Sequence, residues 1–282
     1  MKRTSLVDYD DSSDDSNEHP CDQGPSIQKE QTSSKRRRLA APSASLVPAA
    51  PVDDPSKHQG RTRSTPHSEG QFAAYVYLTV IIHPGTPLCS LITQALNKCV
   101  ESSVRQLFWI PSNELVSSPV AEPTASIELH VSLTRPIFLR AHQRVELKKS
   151  VESAAMVCPS FSVSFAQIEQ LSNDEGTRHF LTLEVGSGHK QMCALTNALA
   201  PTLLSFRQKE FYADPKFHAS FAWTLATSSA VTSSPTKQAA CFPVEGLNAE
   251  FGTLLTTHQY EMEYVTVRIG KEISRFRLAG QL

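Results

Sequence analysis

Runs of β-branched and aromatic residues, several of them alternating between apolar and polar positions, predict the strands of this chain. They comprise a closing hairpin over 260–279 and five further segments: 73–82, 126–134, 160–172, 178–186 and 216–226. Apolar residues three or four positions apart predict four helices, at 87–102, 141–157, 189–206 and 244–258. We expect Pro201 to kink or end the third helix, because proline lacks a backbone donor.

The order of these elements contains a weak internal repeat. A strand and a following helix occur twice, and each strand carries a histidine, His130 in the first and His218 in the second, 88 residues apart. We therefore predict an α+β domain of two pseudo-symmetric lobes, each a mostly antiparallel sheet with helices. The two sheets are expected to face one another, with an active-site cleft between the lobes.

Residues 1–70 differ in composition from the rest of the chain. They contain one aromatic residue, whereas residues 71–282 contain 20. Such a segment buries too little apolar surface to offset the entropy of ordering it, so we predict a disordered N-terminal tail followed by one folded domain over 71–282.

The tail carries an acidic block at 8–18 and then four consecutive cations: Lys35, Arg36, Arg37 and Arg38. A basic run in a flexible tail is typical of a nuclear import signal, which would place the protein in the nucleus. A weak phosphate-binding arm and a solvated charge run are the alternatives.

The charge of residues 71–282 is balanced, with 17 lysines and arginines and 17 aspartates and glutamates. Proteins that grip long nucleic acids usually show a basic excess, because each neutralised phosphate releases counterions. Any nucleic-acid substrate is therefore expected to be held over a few nucleotides.

Cysteine spacing and hydropathy argue against a zinc-binding, a disulfide-stabilised or a membrane-spanning protein. The six cysteines are widely spaced and include no C-x-x-C pair, which favours free thiols over a zinc site or a disulfide scaffold. The longest apolar run, 72–82, has about half the length of a membrane-spanning helix. We expect a protein with no membrane partner and no secretory signal.

Two short stretches, "ELHVSLT" at 128–134 and "KFHASFAW" at 216–223, share a histidine followed two positions later by a serine. Strand residues two positions apart point to the same face, so His130 projects with Ser132, and His218 with Ser220. Residues at the intervening positions are predicted to pack on the opposite face: Phe217, Phe221 and Trp223. Each motif alone fits an ordinary structural histidine; the information lies in the pair.

Two opposed imidazoles suit cleavage of a ribose-linked phosphodiester. With an ordinary pKa of about 6.5, one ring can take a proton from an attacking hydroxyl while the other protonates the departing alkoxide. The serines can donate hydrogen bonds to the phosphate, where charge accumulates in the transition state. This chemistry requires no metal or other cofactor, and the sequence has no metal-binding motif.

With these residues the chain resembles the two-histidine (2H) phosphoesterase superfamily, and within it the U6 small nuclear RNA (snRNA) phosphodiesterases. The resemblance covers roughly 71–282 and includes serine in both motifs, the segment "FYADPKFHASFAW", and the Ser/Asp-rich tail. One departure is Ala222, which stands where the first motif has Thr134.

The resemblance implies a 3′-to-5′ exoribonuclease that trims the oligouridine end of U6 snRNA in the nucleus. We expect a metal-independent monomer, because the two-histidine chemistry needs no metal and one chain completes the proposed cleft. The penultimate 2′-hydroxyl would attack the last phosphodiester and leave a 2′,3′-cyclic phosphate, which some members open to a monophosphate. It implies that His130 and His218 form the acid–base pair, and that Ser132 and Ser220 hold the phosphate. We assign His218 as base and His130 as acid, although the residues themselves leave that direction open.

Tyr212 matches the aromatic residue on which the family stacks a base, and a uracil ring stacked there would add binding energy. The alternative is a loop aromatic that fills the rim of the core. Alternatives for the whole protein are a 2H enzyme acting on 2′,5′-linked or cyclic nucleotides, a non-catalytic module that binds RNA 3′ ends, and an unrelated α+β domain. Intact histidines and serines in both motifs favour an enzyme.

Overall fold

The computed structural model describes residues 54–61, 68–104, 106–226 and 241–280. All of them lie within one compact unit of the chain, Pro51–Leu282. The described helices are α1 (Pro87–Glu101), α2 (Gln143–Val157), α3 (His189–Ser205) and α4 (Val244–Thr257). The strands are β1 (Gln71–Ile82), β2 (Leu107–Trp109), β3 (Glu114–Val116), β4 (Ile127–Ser132), β5 (Ile137–Arg140), β6 (Phe161–Val163), β7 (Phe165–Ser172), β8 (Arg178–Val185), β9 (His218–Leu225), β10 (Tyr260–Met262), β11 (Tyr264–Ile269) and β12 (Glu272–Arg277).

The four predicted helices are confirmed, and so are the predicted strands, although two of them are divided. Residues 160–172 form β6 and β7, and the first strand of the predicted hairpin forms β10 and β11. Helix α3 continues through Pro201 to Ser205. The proline removes one backbone hydrogen bond, the one to the carbonyl of Asn197, and the helix ends about one turn later. Three short strands were not predicted, β2, β3 and β5, because three or four residues are too few to establish a period.

Ten strands form one antiparallel sheet, which confirms the α+β class. Its main path runs β12–β11–β1–β4–β9–β8–β7; β5 adds to β1, and β2 joins β9 and carries β3. The predicted lobes correspond to the two halves of this path. They are joined edge to edge at β4 and β9 rather than facing one another as separate sheets. Pairing satisfies the backbone groups that two free edges would leave exposed.

The core lies on one face of this sheet. Alternate residues of β1 are almost completely buried, among them Ala74, Val76, Leu78 and Val80. They belong to the same apolar cluster as the buried sides of the four helices. The opposite face carries the residues between them, Tyr75, Tyr77, Thr79 and Ile81, and we call it the site face.

Part of the predicted tail lies against β9. A 3₁₀ turn at Pro55–His58 is followed by Gly60, where an added Cβ would approach Leu225 Cδ1 to 2.8 Å. The guanidinium carbon of Arg61 lies 5.5 Å from the centre of the Trp223 ring. The acidic block and the basic run Lys35–Arg38 lie outside the described residues. Among the described helices, none is long and apolar enough to cross a bilayer.

Candidate active site

The two His-x-Ser motifs lie on neighbouring strands of the sheet. Val131 of β4 is directly opposite Ala219 of β9 in an antiparallel ladder, and both are fully buried. This register places His130 opposite Ser220, and Ser132 opposite His218. The structure therefore brings all four predicted side chains together on the site face.

This arrangement has approximate two-fold symmetry. Each histidine faces the serine of the other motif, and the two histidines are diagonal neighbours on adjacent strands. Diagonal positions in an antiparallel pair are about 7–8 Å apart. A phosphate group between the two rings could contact both imidazoles and both hydroxyls.

The hydrogen bond of the His218 ring determines which of its two nitrogens carries the proton when the ring is neutral. Its Nδ1 lies 2.7 Å from the carbonyl oxygen of Lys216. A carbonyl only accepts hydrogen bonds, so Nδ1 carries the proton and Nε2 has the free lone pair. Burial lowers the pKa of His218, while the Lys216 carbonyl and the carboxylates of Glu169 and Glu184 partly oppose that shift.

His130 has a different environment. Its ring stacks on Tyr77, with 4.0 Å between ring centres and 26° between planes. Withdrawal from water lowers the pKa of His130; Glu128 opposes this shift, whereas Arg268 and Arg275 add to it. Tyr77 and the two arginines come from β1, β11 and β12, so the first half of the sheet supplies the surroundings of this ring.

Tyr212 lies in the segment between α3 and β9 and has 44% of its surface exposed. The guanidinium carbon of Arg135 is 3.9 Å from its ring centre. The tyrosine hydroxyl donates to Asp174 at 2.9 Å, and Asp174 also pairs with Arg135 at 2.7 Å. One face of the predicted stacking platform is therefore covered by an arginine, and a base could stack only on the other face.

Thr134 and Ala222, which follow the first and the second motif, do not lie on the site face. The Thr134 hydroxyl accepts a hydrogen bond from the backbone of Val76, and Ala222 is fully buried. A β-bulge explains the second case, because Ser220 is opposite Thr182 while Ala222 is opposite Leu181. The departure at Ala222 thus removes no hydroxyl from the site.

Trp223 was predicted to lie on the face opposite the histidines, but the same bulge turns it to the site face. Phe217 and Phe221 are buried in the core, as predicted. Beyond the bulge, Trp223 is opposite Phe180 and lies on the site face, where it stacks on Phe108 at 4.3 Å. A change of face at one extra residue leaves no trace in the periodicity of the sequence. Trp223 is 3% exposed, in agreement with its predicted packing role.

Sequence reasoning missed several residues around the motifs. Arg135 follows the first motif by three positions, and this proximity was the one signal in the sequence that could have identified it. Thr79 and Glu128 reach the site face through the pairing of β1 with β4. Arg275 reaches it from β12 and lies 3.4 Å from the Glu128 carboxylate.

The described residues contain no group of three or more histidine, cysteine, aspartate or glutamate side chains placed to hold a metal ion. Five of the six cysteines lie in the described part and are free thiols. The titratable groups at the centre of the site are thus the two imidazoles.

A model of one protein family, described as "HVSL: Uncharacterised conserved protein", matches residues 38–277. The chain belongs to the HVSL family. The four letters of that name are the sequence of residues 130–133, the first of the two motifs.

Curated relatives of this HVSL chain include U6 snRNA phosphodiesterase 1 of Drosophila melanogaster, 28% identical over 175 residues, which are 62% of this chain and 60% of that protein. The human U6 snRNA phosphodiesterase 1 is 29% identical over 195 residues, covering 67% of this chain and 66% of that protein. The matched region thus spans less than two thirds of either relative. The predicted resemblance to U6 snRNA phosphodiesterases is confirmed.

The HVSL chain also resembles a solved structure, that of Kluyveromyces marxianus Usb1 with uridine monophosphate. The TM-score is 0.51 at 14% identity, and the match covers 73% of this chain and 98% of that one. At this identity the likeness shows a shared fold.

Proposed function

We propose that this HVSL-family chain is a 3′-to-5′ RNA phosphodiesterase that trims the oligouridine 3′ end of U6 snRNA without a metal ion. The observation that carries the proposal is the pairing of β4 with β9, which gathers two histidines and two serines from motifs 88 residues apart. The names of the fly and human relatives support the substrate. The structure of Kluyveromyces Usb1 with uridine monophosphate is consistent with a uridine end.

The reaction is a transfer within the RNA. His218 Nε2 takes the proton from the 2′-hydroxyl of the penultimate ribose, and O2′ forms a bond to the last phosphorus. The bond from phosphorus to O5′ breaks as His130 donates its proton to O5′. The terminal nucleoside leaves uncharged, and the shortened RNA keeps a 2′,3′-cyclic phosphate. Addition of water through the reverse proton transfers would open that ring to a monophosphate.

The hydrogen bond to Lys216 supports His218 as the base, because it leaves Nε2 free to accept a proton in the neutral ring. The serine hydroxyls next to the rings donate to the non-bridging oxygens, on which negative charge grows in the transition state. The exposed face of Tyr212 takes a uracil ring, since the other face is covered by Arg135.

We further propose that the protein acts as a monomer in the nucleus. One chain supplies all four residues of the site, so a second copy is not needed for catalysis. The run Lys35–Arg38 is the proposed import signal. Alanine substitution of these four cations should reduce nuclear accumulation of a fluorescent fusion, and unchanged localisation would refute this role.

The test of the function is trimming of a short RNA ending in uridines, in the presence of EDTA. Activity should persist in EDTA, and His130→Ala or His218→Ala should each lower kcat by about 10²–10⁴-fold, the usual contribution of a general acid or base. His142→Ala is the matched control, because His142 is exposed and its side chain makes no capping hydrogen bond with α2.

A requirement for added magnesium would contradict the proposed chemistry. Binding of the RNA without cleavage would instead identify a non-catalytic 3′-end-binding module. Cleavage of 2′,5′-linked or cyclic nucleotides in preference to the uridine-ended RNA would keep the chemistry and refute the substrate.

A further inference from the structure

Two arginines lie over adjacent aromatic rings on the site face. Phe180 of β8 is directly opposite Trp223 of β9. The guanidinium carbon of Arg178 is 5.4 Å from the centre of the Phe180 ring, and that of Arg61 is 5.5 Å from the centre of the Trp223 ring. Trp223 follows Ser220 by three positions, so these rings lie about 10 Å along β9 from the predicted phosphate-binding serine. We call Arg61 and Arg178 the arginine pair.

Neither member of the arginine pair forms an ion pair with a carboxylate in the part of the chain that the structure describes. Acidic residues of the two adjoining turns have other partners: Asp54 bonds to Ser56 and Lys57, Asp174 to Arg135 and Tyr212, and Glu175 to Asn173. Burial and the nearby Arg61 lower the pKa of Arg178, while Glu175 and Tyr75 oppose that shift. An anion bound between the two guanidiniums would relieve the repulsion of their like charges.

The turn over residues 54–61 holds the Arg61 guanidinium in place. Its Nε donates to the carbonyl oxygen of His58 at 3.0 Å, and its Nη2 donates to Gln59 Oε1 at 2.7 Å. Gln59 and Gly60 both have left-handed backbones, with φ of +51° and +79°. The 3₁₀ turn before them buries no side chain, so the segment adds little to the core. It does fix a cation in one position, and a group fixed in advance loses less entropy when it binds a ligand.

The anion that best fits the arginine pair is a phosphodiester of RNA. Planar guanidiniums donate paired hydrogen bonds to phosphate oxygens. The rings beneath the pair lie on the site face, and one of them belongs to the strand that carries His218 and Ser220. An RNA strand that leaves the site along β9 would therefore pass over both guanidiniums.

The proposed reaction identifies which part of the RNA this phosphate belongs to. The departing 3′-terminal nucleoside carries no phosphate other than the scissile one, which lies at the histidines. A second phosphate site therefore belongs to the RNA that the enzyme retains, on the 5′ side of the scissile bond.

We propose that Arg61 and Arg178 bind a phosphate of the retained RNA, upstream of the bond that is cleaved. The inference rests on the proposed function and extends it by locating where the body of the RNA is held. It also implies a dependence on RNA length. A dinucleotide has only the scissile phosphate, whereas a longer RNA reaches the arginine pair as well.

The test uses Arg178→Gln in the full chain and two substrates, the dinucleotide uridylyl-uridine and a uridine hexamer. The ratio of kcat/KM for the hexamer to kcat/KM for the dinucleotide should fall by about 10-fold, the lower end of what a lost hydrogen bond to a charged group costs. The value of kcat/KM for the dinucleotide should stay at the wild-type level.

Binding of the hexamer gives a second readout, measured by fluorescence anisotropy in the His218→Ala background. Loss of one phosphate contact should make the slope of the logarithm of the association constant against the logarithm of the salt concentration shallower by about 0.7. A variant that only loosened the fold would bind more weakly with an unchanged slope. Arg178→Lys keeps the cation and should keep the slope.

Arg207→Gln is the matched control. Arg207 is exposed just after the end of α3, and this variant should keep both the wild-type ratio and the wild-type slope. Arg61→Gln repeats the test at the second guanidinium. It also covers the case in which Arg178→Gln fails to fold, because the turn before Arg61 buries no side chain.

The outcomes separate the two proposals. If the wild-type protein cleaves neither substrate, the proposed function fails, and the salt slopes still test the arginine pair. If the wild-type protein cleaves both substrates, and both glutamine variants of the pair keep the wild-type ratio and slope, the upstream phosphate site alone is wrong. Equal falls in kcat/KM for the dinucleotide and the hexamer would place the effect of the arginines at the scissile phosphate and would also overturn the inference.

Discussion

His130 and His218 occupy equivalent places in the two motifs, but their charged neighbours differ. One carboxylate, Glu128, and two arginines, Arg268 and Arg275, act on His130, whereas two carboxylates, Glu169 and Glu184, act on His218. Burial is the largest influence on both rings and lowers both pKa values. The surroundings thus distinguish two residues that the motif makes identical.

The lowered pKa values of the two histidines predict the pH dependence of the proposed reaction. Catalysis needs one ring protonated and the other neutral, and both histidine pKa values lie below the ordinary 6.5. The reactive fraction therefore falls as the pH rises above 6.5, because the acid loses its proton. A profile of kcat/KM against pH should decline on that side; a maximum above pH 7.5 or so would contradict the shifts.

Charge substitutions at the site face should move the His130 pKa in opposite directions. Arg275→Gln removes a nearby cation and should raise the pKa of His130, whereas Glu128→Gln removes a nearby carboxylate and should lower it. NMR titration of the His130 ring measures both shifts directly. Shifts of the same sign in the two variants would show that these charges do not act on the ring as described.

At the level of elements, the segment between α3 and β9 positions the second motif. His189 begins α3, and its Nε2 lies 2.9 Å from the carbonyl oxygen of Pro215, three residues before His218. Phe211 stacks on Phe217 at 5.5 Å and contacts Tyr212 edge-on at 5.2 Å. The start of α3, Tyr212 and strand β9 are therefore connected by contacts within one short stretch.

Tyr212 offers a test of this segment. Tyr212→Ala should weaken binding of a uridine-ended RNA by about 1–3 kcal/mol, the value of one stacked base. Tyr212→Phe keeps the ring and loses only the hydrogen bond to Asp174, so its effect should be smaller. Fluorescence anisotropy with His218→Ala as the background measures binding without cleavage. Equal losses in the two variants would mean that the hydroxyl, and not the ring, binds the RNA.

Gly188 tests the connection between the start of α3 and the core. Its φ is +89°, and an added Cβ would lie 2.8 Å from Val163 Cγ2. Gly188→Ala should lower the free energy of unfolding by at least about 1–3 kcal/mol, the cost of a left-handed non-glycine residue. Gly246→Ala, in α4 with open space around it, should be neutral or stabilising. Urea unfolding of both variants checks the difference, and similar stabilities would contradict the contact.

The sequence predicted the helices and strands better than it predicted which strands lie next to one another. Helices and long strands have a period that is visible in ten residues or more, and the two-residue period placed each histidine on the same face as its serine. The junction of β4 with β9 joins residues 88 positions apart, and no local pattern encodes it. Thr79 and Arg275 were missed for the same reason, since each comes from a strand distant in sequence. The bulge at Phe221 depends on the partner strand β8, so the sequence could not predict the face of the sheet on which Trp223 lies.

At the scale of the whole molecule, the balanced charge limits how the proposed RNA substrate can be held. Residues 71–282 carry equal numbers of basic and acidic residues. We expect contacts to two or three phosphates. At about −0.7 per phosphate of a single strand, the logarithm of the RNA association constant should fall with the logarithm of the salt concentration with a slope of about −1.4 to −2.1. The variant with Lys35–Arg38 changed to alanine should keep that slope. A shallower slope in the variant would show that the basic run binds RNA and is not only an import signal.

Attack by the RNA's own 2′-hydroxyl, driven by His130 and His218, is the central claim, and one substituted substrate tests it directly. A uridine-ended RNA with 2′-deoxyribose at the penultimate position lacks the proposed nucleophile but keeps the bases and the scissile phosphate. Single-turnover trimming in EDTA, with mass analysis of the new 3′ ends, compares it with the all-ribose RNA. We predict a 2′,3′-cyclic phosphate or its opened monophosphate from the all-ribose RNA and no cleavage of the deoxy-substituted RNA. Trimming of the substituted RNA to a 3′-hydroxyl end would mean that water attacks the phosphate and would contradict the account.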